Sequence, residues 1–186
     1  MKIFKFLVVV VTVVLFVSCS EDEGTMNPVD QDSLIGTWRL SSLNSDTEFS
    51  TEFEGIPFSG DLQSVGENLN YTVTFTENQY SSQGSYDIVT TGNVNGIPLD
   101  EDTTTVTDIA ESGTYSFEND MLTIDGELYE LDLADIPTDV DLDQSVDIFF
   151  DGDGNLIMTQ DVEIMVEEEG VPINVTVDSR LVWTRN

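Results

Sequence analysis

Apolar residues recur at every second position along most of this chain, and that period limits what it can fold into. Near the end, Val171, Ile173, Val175, Val177, Leu181 and Trp183 are all odd-numbered. Between them stand Pro172, Asn174, Thr176, Asp178, Arg180, Val182 and Thr184. Strict alternation puts one set of side chains on each face of an extended strand, so this is a long, half-buried strand. Leu156, Met158, Val162, Ile164 and Val166 repeat the pattern in the even register, and Val146, Ile148 and Phe150 form a shorter version. Tyr71, Val73 and Phe75 alternate with threonines, and Tyr80, Tyr86 and Ile88 share another face. Helical spacing is nearly absent.

Turn-forming residues fall between these runs. Asp151-Gly152-Asp153-Gly154-Asn155 reads as a tight hairpin, and Asp125-Gly126 as a two-residue hairpin joining 121–124 to 127–131. Three bends share one spelling: Glu54-Gly55-Ile56-Pro57-Phe58, Asn95-Gly96-Ile97-Pro98-Leu99 and Glu169-Gly170-Val171-Pro172-Ile173. Glycine permits positive φ and the residue before proline is held extended, so each reads as a hairpin bend, and their recurrence suggests a shared rim. Only 132–143 breaks the rhythm, as an acidic loop or short helix. About eight to ten strands in sequence with short links suit an antiparallel meander. Without helices to cover an edge, such a sheet buries its apolar face by closing into an up-and-down β-barrel. A β-sandwich is the alternative.

The first residues are of another kind. Lys2 and Lys5 precede an apolar run over 6–17 broken by one Thr. Twelve residues are too few to span a bilayer as a helix but suit the core of a secretion signal. Ser18-Cys19 follows, and the combination resembles a bacterial lipobox. That resemblance implies removal of 1–18 and a lipid on Cys19, which is the only cysteine and so has no disulfide partner. Ser20 is not the Asp of inner-membrane retention, and Glu21-Asp22-Glu23 resembles an export signal to the outer face of the outer membrane. Residues 19–33 read as a flexible tether, and 34–186 as one domain. The expected address is the outer membrane, lipid-anchored and facing the cell surface, with the periplasmic face as the alternative.

Charge narrows the partners. The chain carries 37 acids and a formal charge of −32. Loss of Lys2 and Lys5 with the signal leaves only Arg39, Arg180 and Arg185 as cations, for a net −34. Such a surface repels nucleic acid and anionic bilayers, and the chain is expected to be monomeric. There is no histidine. Ser–His–Asp and Cys–His catalysis are therefore excluded, as are metals held by imidazole or thiolate. A paired-carboxylate hydrolase is not excluded by residue type, but no pair stands out among so many acids. The chain reads as a non-enzyme without a cofactor. Asp151, Asp153 and Asn155 resemble the start of a calcium loop; Leu156 and Val162 stand where its Gly and Glu belong, leaving a weak calcium candidate.

Two terminal motifs carry a family resemblance. Leu34-Ile35-Gly36-Thr37-Trp38-Arg39-Leu40 resembles the Gly-x-Trp first strand of lipocalin-like domains, and Leu181-Val182-Trp183-Thr184-Arg185 resembles their last. The resemblance implies that Trp38 lies at the closed barrel end with Arg185 packed across it, and that Gly36 makes room for the indole. It also implies a cavity lined by inward side chains such as Tyr71, Phe75, Tyr86, Phe150 and Met158. The function it implies is a membrane-anchored binding module for a small apolar or amphipathic ligand. The alternative is a structural or interaction lipoprotein with a filled barrel. The stretches 46–70 and 93–112 exceed a minimal barrel and are expected as extended hairpins over the mouth.

Overall fold

A computed structural model of the chain describes residues 29–126, 128–129, 145–168 and 170–186. The signal, Cys19, most of the expected tether and the acidic stretch 132–143 lie outside the described residues. Asp30 opens a one-turn helix, α1 (Gln31–Leu34), by accepting from the Ser33 amide at 2.7 Å. Among the described residues nine strands follow: β1 (Gly36–Phe53), β2 (Ile56–Phe75), β3 (Gln79–Val94), β4 (Ile97–Pro98), β5 (Asp102–Glu118), β6 (Met121–Asp125), β7 (Ser145–Phe150), β8 (Leu156–Glu168) and β9 (Val171–Arg185).

All pairings are antiparallel and, apart from the two-residue β4 on the edge of β3, each strand pairs with the next in sequence. β1 also pairs with β9, from Trp38↔Arg185 to Thr51↔Ile173. Eight strands therefore form one closed ring, with β4 outside it. The expected up-and-down barrel is present, and a single continuous sheet leaves no place for the sandwich.

Closure does not run the length of the molecule. β6 has 5 residues and β7 has 6, whereas β1, β2, β3, β5, β8 and β9 have 13 to 20. Among the described residues the ring is complete only at the end holding Gly36, Phe75 and Arg185. Beyond β6 and β7 the six longer strands continue as a curved sheet in the order β5-β3-β2-β1-β9-β8. The long stretches 46–70 and 93–112 are parts of this extension. All three bends of shared spelling stand at its far end. Glu54-Gly55 and Asn95-Gly96 have positive φ at both positions, as two-residue hairpins require. Asn95 accepts the Ser59 amide at 3.0 Å, and Thr51 donates to the Pro172 carbonyl at 2.6 Å, which ties the bends into one rim.

Two sequence expectations change here. Asp125-Gly126 is not a hairpin. β6 returns to β7, and the described residues just after Gly126, Leu128 and Tyr129, are buried but not strand. The tight turn before β6 is instead Asn119-Asp120, both at positive φ, which carries no glycine to announce it. The end of the expected tether is also part of the fold: Val29 is buried and its amide donates to Asp120 at 3.1 Å.

Inward side chains form two apolar clusters. One fills the closed end, around Trp38, Leu43, Tyr71, Phe75, Tyr86, Leu156 and Trp183. The other lies on the inner face of the extension, where Leu62, Val175 and Val177 are packed by Phe49, Val162, Ile164, Val166 and Ile173. Gly84, inside β3, lets that strand lie against the β2 backbone at Asn70 and Tyr71. Its φ is +130°, and a Cβ there would stand 2.0 Å from the Asn70 carbonyl oxygen. Gly84→Ala is expected to cost about 3 kcal/mol or more, since strain and backbone overlap add. Gly96→Ala, also at positive φ but in open space, should cost only about 1 kcal/mol. Urea unfolding of both variants checks this; equal losses would count against the close approach at Gly84.

Candidate ligand site

The closed end is built from the two terminal motifs. The Trp38 indole N–H donates to the Leu34 carbonyl at 2.8 Å, so α1 and the indole seal the base together. Phe150 stacks on Trp38 with ring centroids 5.8 Å apart. The Arg185 guanidinium carbon lies 5.1 Å from the Trp38 ring centroid, and its Nη2 donates to the Ile35 carbonyl at 2.7 Å. A Cβ on Gly36 would stand 3.2 Å from that Nη2, so the glycine makes room for the guanidinium rather than the indole.

The five expected cavity residues do come together, but as packing. Tyr71, Phe75, Tyr86 and Met158 are fully buried and Phe150 is packed against the same cluster. Tyr71 meets Tyr86 at 5.4 Å and Trp183 at 5.7 Å, and Phe75 meets Tyr115 edge-on at 5.3 Å. Rings occupy the space where a ligand chamber was expected. Above them opens a cleft of about 160 Å³, lined by Tyr71, Tyr86, Val106, Ile109, Leu128 and Tyr129. That is below the roughly 300–1,000 Å³ usual for small-molecule pockets. The Tyr71 hydroxyl donates to the Leu128 carbonyl. Burial pushes the Tyr71 phenol well above its ordinary pKa, with the Ser82 hydroxyl pulling the other way. The role of Leu128-Tyr129 was not legible in the sequence, because a lone apolar pair beside Gly126 has no period.

The inner face of the extension is the larger apolar surface. It passes from buried Val177 and Val175 through half-buried Phe49, Ile164 and Ile173 to the rim. At the rim Phe53 is 57 %, Ile56 68 % and Ile97 69 % exposed. Cross-strand pairs Phe53↔Ile56, Thr51↔Phe58 and Val94↔Ile97 put these rim side chains on the same face as Phe49 and Leu62. All three arginines are exposed. Arg39 reaches the Leu69 carbonyl, Arg180 lies over Phe149, and Arg185 is at the closed end.

The weak calcium candidate sits in the exposed turn between β7 and β8. Asp151 Oδ1 accepts the amides of Asp153 and Asn155, and Oδ2 accepts the Asn155 side-chain amide, each at 2.9 Å. Both oxygens thus serve the turn itself, and among the described residues no three acidic side chains gather as a metal site.

Two predictions follow from these contacts. Arg185→Ala should cost about 1–2 kcal/mol, from the lost cation–π contact and the charged hydrogen bond to Ile35, with Arg185→Lys recovering only part in urea unfolding. An unchanged midpoint would mean that Phe150 and Leu34 alone hold the indole. The Asp151 carboxyl is held below its ordinary value, first by the Asn155 side chain and then by backbone amides. Its contribution is therefore present above the unfolded pKa of about 3.9 and lost as pH falls through the lower folded value. NMR should show Asp153 and Asn155 amide protection flat from pH 5 to 8 and falling only in acid, with Asp151→Asn removing that acid step.

The model of a family described as a lipocalin-like domain matches residues 34–153. Its match ends in the β7–β8 turn, so the closing strands β8 and β9 lie beyond it. Comparison with curated proteins and with solved structures finds no match. With most of the chain matched, the Gly36–Trp38 strand opening the match and an eight-stranded meander closed by β1 and β9, the chain belongs to the lipocalin-like domain family.

Proposed function

We propose that this protein is a non-catalytic, lipid-anchored binding module of the bacterial cell envelope, holding a small apolar or amphipathic molecule on the inner face of its barrel extension. One observation carries the reading: an apolar wall runs from the buried base of the extension to a rim where Phe53, Ile56 and Ile97 are more than half exposed. Contiguous exposed apolar surface is uncommon on soluble proteins and commonly marks a binding surface. The filled closed end moves the site away from the five residues named from the sequence and onto this wall. Absence of histidine throughout the chain supports the non-catalytic part.

Chain direction supports an outward-facing mouth. The expected anchor on Cys19 joins the domain at the closed end, through 29–34, while the rim lies at the opposite end of β1. Eighteen residues of strand span roughly 60 Å. The exposed rim also favours a second reading, in which the hairpin tips contact another envelope component.

Native mass spectrometry of the protein extracted from host membranes is expected to show a co-purified, lipid-sized adduct. Cys19→Ala should move the chain to the soluble fraction. Phe53→Ser with Ile97→Ser, both at exposed positions, should weaken binding by roughly 1–2 kcal/mol, or about five- to thirtyfold. A protein with no adduct that binds no apolar probe would favour the interaction reading instead.

A further inference from the structure

The inner face carries a polar rung at one level. Gln160 on β8 pairs with Ser179 on β9, Ser179 with Ser45 on β1, Ser45 with Ser64 on β2, and Ser64 with Thr90 on β3. Five adjacent strands thus place an uncharged polar side chain in register, and Asp102 of β5 follows Thr90 at the open edge of the rung. The rung below it on these strands is Met158, Leu181, Leu43, Gly66 and Ile88, and the rung above is Val162, Val177, Thr47, Leu62 and Gly92. The rung therefore separates the closed-end core from the apolar wall of the extension.

The ends of the rung are satisfied internally. Ser64 and Thr90 share a hydrogen bond of 3.0 Å, Gln160 accepts from the Tyr129 hydroxyl at 2.9 Å, and Gln160 Nε2 donates to the Ser145 carbonyl at 3.3 Å. Its middle is not. Ser45 is 3 % exposed and Ser179 fully buried, and neither hydroxyl has a hydrogen-bond partner among the described residues. The Tyr129 hydroxyl lies beside Ser179 without completing a well-formed bond to it. A buried hydroxyl without a partner is costly, and native proteins rarely keep one without a reason. Two neighbouring ones, at the foot of an apolar wall, are what an amphipathic ligand needs at its polar end.

We infer that Ser45 and Ser179 form the head-group subsite of the ligand proposed above, and that they select an uncharged, oxygen-bearing head such as an alcohol or ester. This rests on the binding-module reading and adds which molecules the module accepts. Each hydroxyl both donates and accepts, so together they serve an alcohol oxygen or a carbonyl. The tail then lies along Val177, Val175, Ile164 and Ile173 toward the rim. A carboxylate head is disfavoured because, among the described residues, no cation faces the extension: all three arginines are exposed, and Arg185 sits at the closed end. The remaining surface charge is overwhelmingly negative. An anion buried here would lack a counter-charge. Tyr129 joins the subsite to the cleft, since it lines the cleft with Tyr71 and Tyr86 and bonds to the rung at Gln160.

The test uses the full chain carrying Cys19→Ala and two probes of equal tail length, monolaurin and laurate, titrated by calorimetry at pH 8. Monolaurin is expected to bind at least tenfold more tightly than laurate. Adding Ser45→Ala and Ser179→Ala should cut monolaurin affinity at least tenfold while raising the unliganded Tm by a few degrees, because the unpaired hydroxyls are gone. Equal binding of the two probes, unchanged affinity in the double variant, or a lower Tm would overturn the subsite and leave the binding module standing. Failure of both probes to bind the parent would overturn the binding reading and this inference with it.

Discussion

Backbone pairing between the first and last strands is the constraint on which the rest of this structure depends. From Trp38↔Arg185 to Thr51↔Ile173, β1 and β9 satisfy each other's amides and carbonyls, so neither remains an edge. Closure also turns a one-sided sheet into an interior. The same contact brings Arg185 over Trp38 and against the carbonyl of Ile35, so the helix α1 that plugs the base is held by the last strand of the chain. The seal, the ring and the position of the N-terminal segment are consequences of one strand pairing.

The two shortest strands shape everything above it. β6 and β7 stop after 5 and 6 residues, while their neighbours in the ring continue. A barrel of equal strands would enclose one core. Here the inner surface divides into a filled aromatic base, a polar rung and an apolar wall that ends at an exposed rim. An eight-stranded ring can be filled by side chains or hold one small ligand, and here aromatic rings fill the base. Beyond β6 and β7, among the described residues, no strand faces the wall from that side, and its upper side chains stay half-buried or exposed.

Charge acts on a different set of side chains. The same alternation that turns valines and isoleucines inward turns Asp46, Glu48, Asp61, Asp161, Glu163 and Asp178 outward. An outer face so rich in carboxylates keeps the barrel hydrated and repels anions before contact. On β8, β9, β1 and β2 the inner face carries hydroxyls and an amide instead of charges, while β5 adds the acids Asp102 and Glu111, so recognition there depends on shape, apolar area and neutral hydrogen bonds.

Much of this was legible in the residues alone because it is local. Period two decides which side chains share a face, and it correctly assigned the inward sets of β2, β3, β7, β8 and β9, the meander, and the common end of the three bends. The pairing of Trp38 with Arg185 came from terminal motifs, not from period. Whether those inward sets enclose a chamber was not local. Tyr71, Phe75, Tyr86, Phe150 and Met158 were rightly read as inward, yet their heights relative to Trp38, Tyr115 and Trp183 follow from register across strands far apart in sequence. Only the assembled barrel decided that their rings meet. The Asp125-Gly126 reading failed for a similar reason: two residues can form a hairpin only if the strand that follows pairs back, and β6 found its partner in β7. The rung from Gln160 to Thr90 is the strongest case. No spacing links Ser45, Ser64, Thr90, Gln160 and Ser179, and what sets them level is the stagger of five hydrogen-bonded strands around the closed end.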